Sequence, residues 1–375
     1  MQSGIKLQVS TKESEIDIDP FLEPIELILQ EGRNDVAYRL LKALQDLQGK
    51  RQWVDERLSM LYRKWIPRWH FEMLNDANRG RAFGDALAAV DLRDKTVLDI
   101  GAGSGILSML AVRRGARHVY ACEMLGALAD KAQEIVRLNG MAHKITVIPK
   151  SSFALEIGKD MPERAEAMIS ETIDCGFVGE GFLPTLRHAK SNLLKPHALL
   201  VPSGVQLRGA LVESPSIHHL NHVDRSQGFD VSEMNEFSTR GYFGVRLKNR
   251  PHQLMSEVTT LLNVDLYSQV PDCISRVVEF EAVQSGRVHG VVFWFKVMLA
   301  PGVSISNDPD QDDCHWTQAF ATFREPLVVQ KRACYPLELT FSEHAVSIAP
   351  LEQHKQHRMA AVNGTGAREK IWNAV

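Results

Sequence analysis

The run Val97-Leu98-Asp99-Ile100-Gly101-Ala102-Gly103-Ser104-Gly105 limits what this chain can fold into more than any other stretch. Val97 to Ile100 is a short apolar segment carrying one acid, the pattern of a buried parallel strand. Three glycines follow at alternate positions, and Ile106 to Arg114 then sets Leu107, Leu110 and Ala111 on one helical face. Strand, glycine turn and helix in that order form the entry to a nucleotide-type site. Glycine lets the backbone approach a ligand, and the first N–H groups of the helix have no partner within it. The spacing is GxGxG and not the dinucleotide GxGxxG, so the turn alone does not select a ligand.

The surrounding chain narrows the choice. A second strand, His118 to Ala121, runs into Cys122-Glu123, which places Glu123 at the distance downstream where an acid can accept hydrogen bonds from ribose hydroxyls. From Thr96 the alternation is regular: strand 96–100, helix 105–114, strand 118–122, helix 126–138 stopped near Gly140, strand 145–149, then strands 166–169 and 199–201. This predicts a mostly parallel sheet with helices on both faces, and Ser151 and Ser152 follow the third strand on the rim where such sheets bind ligands.

After Pro202 the helical period disappears. Strand-like runs at 205–213, 276–282, 288–299, 327–332 and 337–342, separated by Pro, Gly, Ser and Asp, predict a β sandwich or barrel. Residues 216–248, polar with scattered aromatics, read as an arm or long loop. Ahead of the α/β region, 20–49 reads as a helical hairpin turning at Gly32-Arg33-Asn34, and Gln52 to Trp65 as a helix stopped by Pro67. Met1 to Asp19 is charged and expected to be loose, and the polar tail from Glu352 to be a short helix or disordered. The domain organisation is thus a helical extension over 1–58, an α/β domain over 59–202, a β domain over 203–350 and a tail over 351–375.

Composition excludes several classes. A net charge of −3 over 375 residues argues against holding nucleic acid by bulk electrostatics. No apolar run is long enough to span a bilayer, and the polar, acidic N-terminus predicts no secretory leader. The five cysteines (Cys122, Cys175, Cys273, Cys314, Cys334) include no CxxC pair, which predicts reduced thiols in a cytoplasmic protein and no metal site.

The second informative stretch is Ser170-Glu171-Thr172-Ile173-Asp174-Cys175-Gly176-Phe177-Val178-Gly179-Glu180-Gly181. Glu171 falls just past the fourth strand and Glu180 follows in a glycine-rich loop. Two carboxylates brought together by such a loop can converge on one cation. A guanidinium suits them, being planar with five N–H donors. Read alone, the two acids are equally compatible with unrelated loop positions, and Arg79 with a surface arginine.

The glycine turn with Glu123 resembles the cofactor motif of class I S-adenosylmethionine-dependent methyltransferases. With the Glu171/Glu180 loop, four more segments resemble the protein arginine N-methyltransferase family in the same order, over about 59–345. His70-Phe71-Glu72-Met73-Leu74 with Asp76 and Arg79 is similar to its HxxML…DxxR signature. Val288-His289-Gly290 through Trp294-Phe295, Ser306-Asn307-Asp308-Pro309, and His315-Trp316 resemble its later strands and THW loop. Asp160-Met161-Pro162, Gly179-Glu180-Gly181 and Gly228-Phe229-Asp230-Val231-Ser232 with Asn235 are most similar to the type III, monomethylating branch.

The resemblance implies a Rossmann-like domain followed by a β-barrel, with S-adenosyl-L-methionine as cofactor. It implies that Gly101, Gly103 and Gly105, with Asp99, line the cofactor's amino-acid moiety. Glu123 would take the ribose hydroxyls, Arg79 the methionyl carboxylate, and Ser151 and Ser152 would lie by the adenine. Glu171 and Glu180 would hold the substrate guanidinium, with His315 a candidate proton acceptor beside them, and Trp316 and His70 would contact substrate. The acceptor is expected to be an arginine in a protein or peptide, giving monomethylarginine in a homodimer. Methylation of free arginine or another small guanidine, and a weakly active cofactor-binding module, are the competing expectations. Two departures stand out: Cys314 replaces the Thr of THW, and Met60-Leu61-Tyr62 with Trp65 occupies the place of the family's aromatic YFxxY helix. Nucleic-acid base methylation is disfavoured, because the fourth strand ends in Ser-Glu-Thr with no Asp/Asn-Pro-Pro-aromatic run to stack a flipped base.

Overall fold

The computed structural model describes residues 19–48, 52–311 and 314–351. The expectations for residues 1–18 and for the tail from residue 352 lie outside the described residues. The described chain forms two compact units divided after Pro67.

The first unit holds α1 (Asp19–Gln30), α2 (Asn34–Gln48) and α3 (Gln52–Trp65). The predicted hairpin is present, with Gly32 at its turn in the left-handed conformation (φ +72°). Ile25, Leu41, Val54 and Leu58 fill the space between these helices.

The second unit begins with α4 (Trp69–Asn75) and α5 (Ala77–Ala89). Asp76 separates them and caps α5, its side chain accepting from the Arg79 N–H at 2.8 Å. The α/β core follows: β1 (Thr96–Ile100), α6 (Ile106–Arg113), β2 (His118–Cys122), α7 (Gly126–Leu138), β3 (Ile145–Ile148), β4 (Ala165–Ser170), α8 (Phe182–His188) and β5 (Leu194–Val201). All five strands pair in parallel in the order β3-β2-β1-β4-β5. This order places the ends of β1 and β4 side by side, so the glycine turn and the Glu171 loop leave the same rim. Burial explains the sequence pattern: every residue of β1 is buried, which a strand covered on both faces requires. The fifth strand starts at Leu194, before the predicted 199, because its charged and polar opening residues break the apolar run.

Beyond Pro202 the chain is β-rich, as predicted. The strand β6 (Gly204–Glu213) and the strand Gly286–Ala300 pair antiparallel at the centre of a seven-stranded sheet. The strand Gln318–Val329 lies beside them, and Cys273–Glu281, Cys334–Ser342 and Val346–Pro350 form a three-stranded sheet. Two expectations are corrected. The run predicted at 327–332 is the end of a strand that starts at Gln318, where Arg324-Glu325-Pro326 hides its continuity. The strand Thr259–Asp265, pairing with β6, escaped notice because exposed polar residues alternate along it. Residues 216–248 hold a short helix (Pro215–His218), a two-residue hairpin and a return strand, Phe243–Val245, on the edge of the large sheet. Two asparagines stitch this arm: Asn221 exchanges hydrogen bonds with Thr239, and Asn235 with Val223.

All five cysteines are unpaired. Among the described residues no helix is long and apolar enough to cross a membrane, and no group of three or more His, Cys, Asp or Glu is placed to hold a metal ion.

Candidate active site

The site has a donor side and an acceptor side, both on the rim where β1 and β4 end. On the donor side, Gly101, Gly103 and Gly105 all have positive φ (+73°, +52° and +77°). At Gly101 a side chain is excluded by contact as well: a Cβ there would lie 2.4 Å from the Thr172 methyl group, so the turn and the Glu171 loop abut. At Gly103 nothing lies within 4 Å of where a Cβ would point, which leaves open space over the turn.

Glu123, at the end of β2, is buried and closes this turn. One carboxylate oxygen accepts the Gly103 N–H at 3.0 Å and the other the Leu125 N–H at 2.8 Å. Burial raises its pKa, and the two backbone donors oppose the rise. Each oxygen retains acceptor capacity for a hydroxyl. Asp99 is buried in β1, with Oδ2 accepting from the Ser108 hydroxyl at 2.6 Å and Oδ1 lacking any partner. Burial pushes its pKa up to about 6. Ser151 caps a short 3-10 turn, Ser152–Ala154, directly after β3, and Ser152 is buried. His70 stacks on Trp69 (3.8 Å between ring centroids) and lowers the pKa of Glu123 electrostatically. His70, assigned to substrate in the sequence and six positions before the Asp76 cap, is thus within electrostatic range of the donor-side acid.

On the acceptor side, Glu171 is buried and forms an ion pair with the Arg79 guanidinium, whose side chain is 5% exposed. Burial raises the Glu171 pKa, and Arg79 opposes that rise. The Arg79 Nε has no partner. A buried guanidinium with a donor left over, next to an unpartnered Asp99 oxygen and open space over Gly103, fits a ligand carrying both carboxylate and amino groups. Those residues therefore suit the amino-acid end of S-adenosyl-L-methionine.

Glu180 stands nine residues after Glu171 on the same loop. It is exposed at the loop surface, and partial desolvation with the charges of Glu171 and Asp174 pushes its pKa up to about 7. His315 joins from the far end of the chain: its backbone N–H and its Nδ1 both meet Asp76 Oδ2, at 3.0 and 2.9 Å. Burial lowers the His315 pKa while Asp76 raises it. Asp76 thus binds Arg79 through one oxygen and His315 through the other. Trp316 is buried, and its indole N–H donates to the Ile173 carbonyl at 3.0 Å, so it props the loop from behind.

Sequence reasoning missed part of this assembly. Asp76 was visible as part of the HxxML…DxxR signature, but its bond to His315 spans 239 positions. Asn307, fully buried, donates to the carbonyls of Cys175 and Thr317 and accepts the Phe295 N–H, joining the acidic loop to the strand ends. Arg246 donates to the carbonyls of Cys314 and His315. Asp174 and Tyr242 form a further tie, described below. Asp76 and Asn307 fall in motifs the sequence singled out, but no local pattern records the bonds they make.

Comparison with known proteins agrees with this layout. Residues 210–354 match the model for the arginine methyltransferase oligomerization subdomain, and 85–207 match that for ribosomal protein L11 methyltransferase (PrmA). The chain is 39% identical over 294 residues to an arginine N(omega)-methyltransferase of Streptomyces achromogenes subsp. streptozoticus, covering 78% of this chain and 81% of that protein. It is 33% identical to protein arginine N-methyltransferase 9 of Xenopus laevis over 68% of this chain, but spans only 34% of that relative's length. Among solved structures it is similar to a Trypanosoma brucei PRMT1 enzyme-prozyme heterotetrameric complex with AdoHcy (TM-score 0.63, 25% identity, 72% of this chain and 86% of that one). It also shares the fold of Arabidopsis thaliana protein arginine methyltransferase 10 (TM-score 0.60, 22% identity, 74% of this chain and 88% of that one).

Fold and site together define a methyltransferase with separate donor and acceptor sides. The chain belongs to the protein arginine N-methyltransferase superfamily, and as a member it is an S-adenosyl-L-methionine-dependent arginine methyltransferase.

Proposed function

We propose that this enzyme transfers one methyl group to a guanidinium nitrogen of an arginine in a protein or peptide, giving monomethylarginine. One observation carries the reading: the loop that bears both carboxylates abuts the glycine turn at Thr172 and Gly101, and Glu171 already accepts a guanidinium N–H, that of Arg79. When bound, S-adenosyl-L-methionine supplies an electrophilic sulfonium methyl group. Gly101, Gly103, Gly105 and Asp99 are assigned to its amino-acid end, Arg79 to its carboxylate, Glu123 to its ribose, and Ser151 and Ser152 to its adenine.

A free guanidinium has a pKa above about 12, so its lone pairs are delocalised. Glu171 and Glu180 bind its N–H groups and draw positive charge toward the nitrogens that do not react. The third nitrogen is left richer in electron density and held in a fixed direction, and orientation of this kind is a large part of such a rate gain. The reacting nitrogen gives up its proton late. Glu180, with its pKa raised to about 7, is assigned as the acceptor, and His315, held by Asp76, is the second candidate. The single transfer is supported by the likeness of Asp160-Met161-Pro162 and Gly179-Glu180-Gly181 to the monomethylating branch. The arm exposes Leu220, Phe229, Met234 and Phe237 within the matched oligomerization subdomain, which supports a homodimer. Unpaired thiols support a cytoplasmic setting.

A second reading, methylation of free arginine, is favoured by the Streptomyces relative, an arginine N(omega)-methyltransferase 81% of whose length the chain covers. The test is incubation with deuteromethyl-labelled cofactor and three acceptors: free arginine, a short Arg-Gly peptide and a histone-like protein, followed by mass spectrometry. A single labelled methyl on an ω-nitrogen of the peptide or protein is expected. Label on free arginine alone selects the second reading, two methyl groups on one side chain contradict the product, and cofactor binding without transfer contradicts the enzyme reading.

A further inference from the structure

Tyr242 lies outside the groups assigned to donor or acceptor, yet the acidic loop is built around it. Its hydroxyl donates to Asp174 Oδ2 at 2.7 Å, while Asp174 Oδ1 accepts the N–H groups of Gly176 at 3.2 Å and Gly179 at 2.9 Å. The tyrosine ring is held edge-on against Phe293 of the large sheet, 5.3 Å between centroids. Both glycines are required by this packing. A Cβ on Gly176 would lie 2.3 Å from the Tyr242 ring, and one on Gly179 would lie 2.4 Å from the Asp174 carboxylate. Gly179 immediately precedes Glu180. Tyr242 itself sits where the arm returns, three positions after Thr239, which Asn221 stitches to the arm's outgoing segment, and one before the edge strand Phe243–Val245.

We propose that Tyr242 is a positioning residue that fixes Glu180 for catalysis by anchoring Asp174, so that the root of the arm sets the geometry of the acidic loop. The inference rests on the assignment of Glu180 to the guanidinium. Burial raises the Tyr242 pKa, so the phenol stays a hydrogen-bond donor throughout the working range. Asp174 accepts the Tyr242 hydroxyl and the two glycine N–H groups, with the Cys175 thiol at 4.0 Å as a weaker fourth donor. A hydrogen bond to a charged group contributes about 1.5–3 kcal/mol, equivalent to a rate change of about ten- to a hundredfold if it is expressed only in Glu180's placement.

The test uses the full chain with Tyr242→Phe, which removes one oxygen, and Asp174→Asn, which keeps the shape. Turnover at saturating acceptor should fall about ten- to a hundredfold in Tyr242→Phe, with S-adenosylhomocysteine affinity within about twofold of wild type, since the loss is confined to the acceptor side. Asp174→Asn should in addition move the acid limb of kcat/KM to lower pH, because one of the like charges that raises the Glu180 pKa is gone. Amide exchange at Gly176 and Gly179 should rise in both variants, whether or not any acceptor is turned over. Wild-type turnover and wild-type exchange in Tyr242→Phe would overturn the proposal, as would parallel loss of cofactor affinity and turnover. A wild-type enzyme that methylates no arginine acceptor refutes the assignment of Glu180 instead, and the exchange measurement still decides whether Tyr242 anchors the loop.

Discussion

The groups from Asp99 to Glu123 assigned to the donor side come from one continuous strand–turn–helix–strand unit, whereas those assigned to the acceptor side are gathered from Asp76, Glu171, Glu180 and His315, the first and last 239 positions apart. The donor side is held within its own segment: the Glu123 carboxylate accepts the Gly103 N–H, and the Cys122 carbonyl those of Gly101 and Ala102. The acceptor side is held by side chains that cross between elements, such as Asp76 on His315 and Trp316 on Ile173. A locally encoded side can keep its shape when one distant contact is lost; a side assembled from crossing contacts cannot. Substitutions should therefore separate the two, except where they touch.

The turn at Gly101 is where they touch, and Gly101→Ala should have the largest effect on both. The added methyl meets Thr172, and φ of +73° is unfavourable for alanine. Strain of about 1–3 kcal/mol translates into a loss of cofactor affinity of up to about a hundredfold, with turnover falling alongside; calorimetry with S-adenosylhomocysteine checks the first and a methyl-transfer assay the second. Selective loss of either would show that the sides do not meet there.

Asp76→Asn comes next. The amide keeps the helix cap but weakens the hold on His315, so turnover should fall about tenfold or somewhat more while cofactor affinity changes little. An equal loss of cofactor affinity would erase the distinction between the sides.

The smallest effect is that of pH. In free enzyme Glu180 gains its charge only as pH rises through about 7. The kcat/KM for acceptor should therefore fall about tenfold per unit below that point. A bound guanidinium favours the carboxylate, so the acid limb of kcat should lie lower. The same raised pKa has the opposite sign for stability: between the ordinary glutamate range and about 7 the folded protein binds the extra proton, so this group's contribution to stability declines as pH rises across that window. Coincident limbs for kcat and kcat/KM would detach Glu180 from acceptor binding.

This contrast also explains what was legible beforehand. The parallel sheet, the glycine turn and Glu123 follow from periodicity and spacing within one short segment, and the structure has them where the sequence predicts. Glu171 and Glu180 were legible as a pair because one loop carries both. The Asp76–His315 bond, the Asn307 bridges and the Tyr242–Asp174 tie depend on the β-rich half folding back over the rim, and no local pattern records such a return. His70 illustrates the same limit: the motif that contains it was recognised, but only the fold shows it within electrostatic range of Glu123.

The central claim, that methyl transfer depends on the acidic loop while cofactor binding does not, is tested most directly by Glu180→Gln, with S-adenosylhomocysteine affinity and methyl transfer measured on the same sample. The account predicts affinity within about twofold of wild type and transfer reduced by about a hundredfold or more, the scale seen when a group aimed at developing charge is neutralised. Transfer near the wild-type rate, or affinity lost in step with transfer, would contradict it.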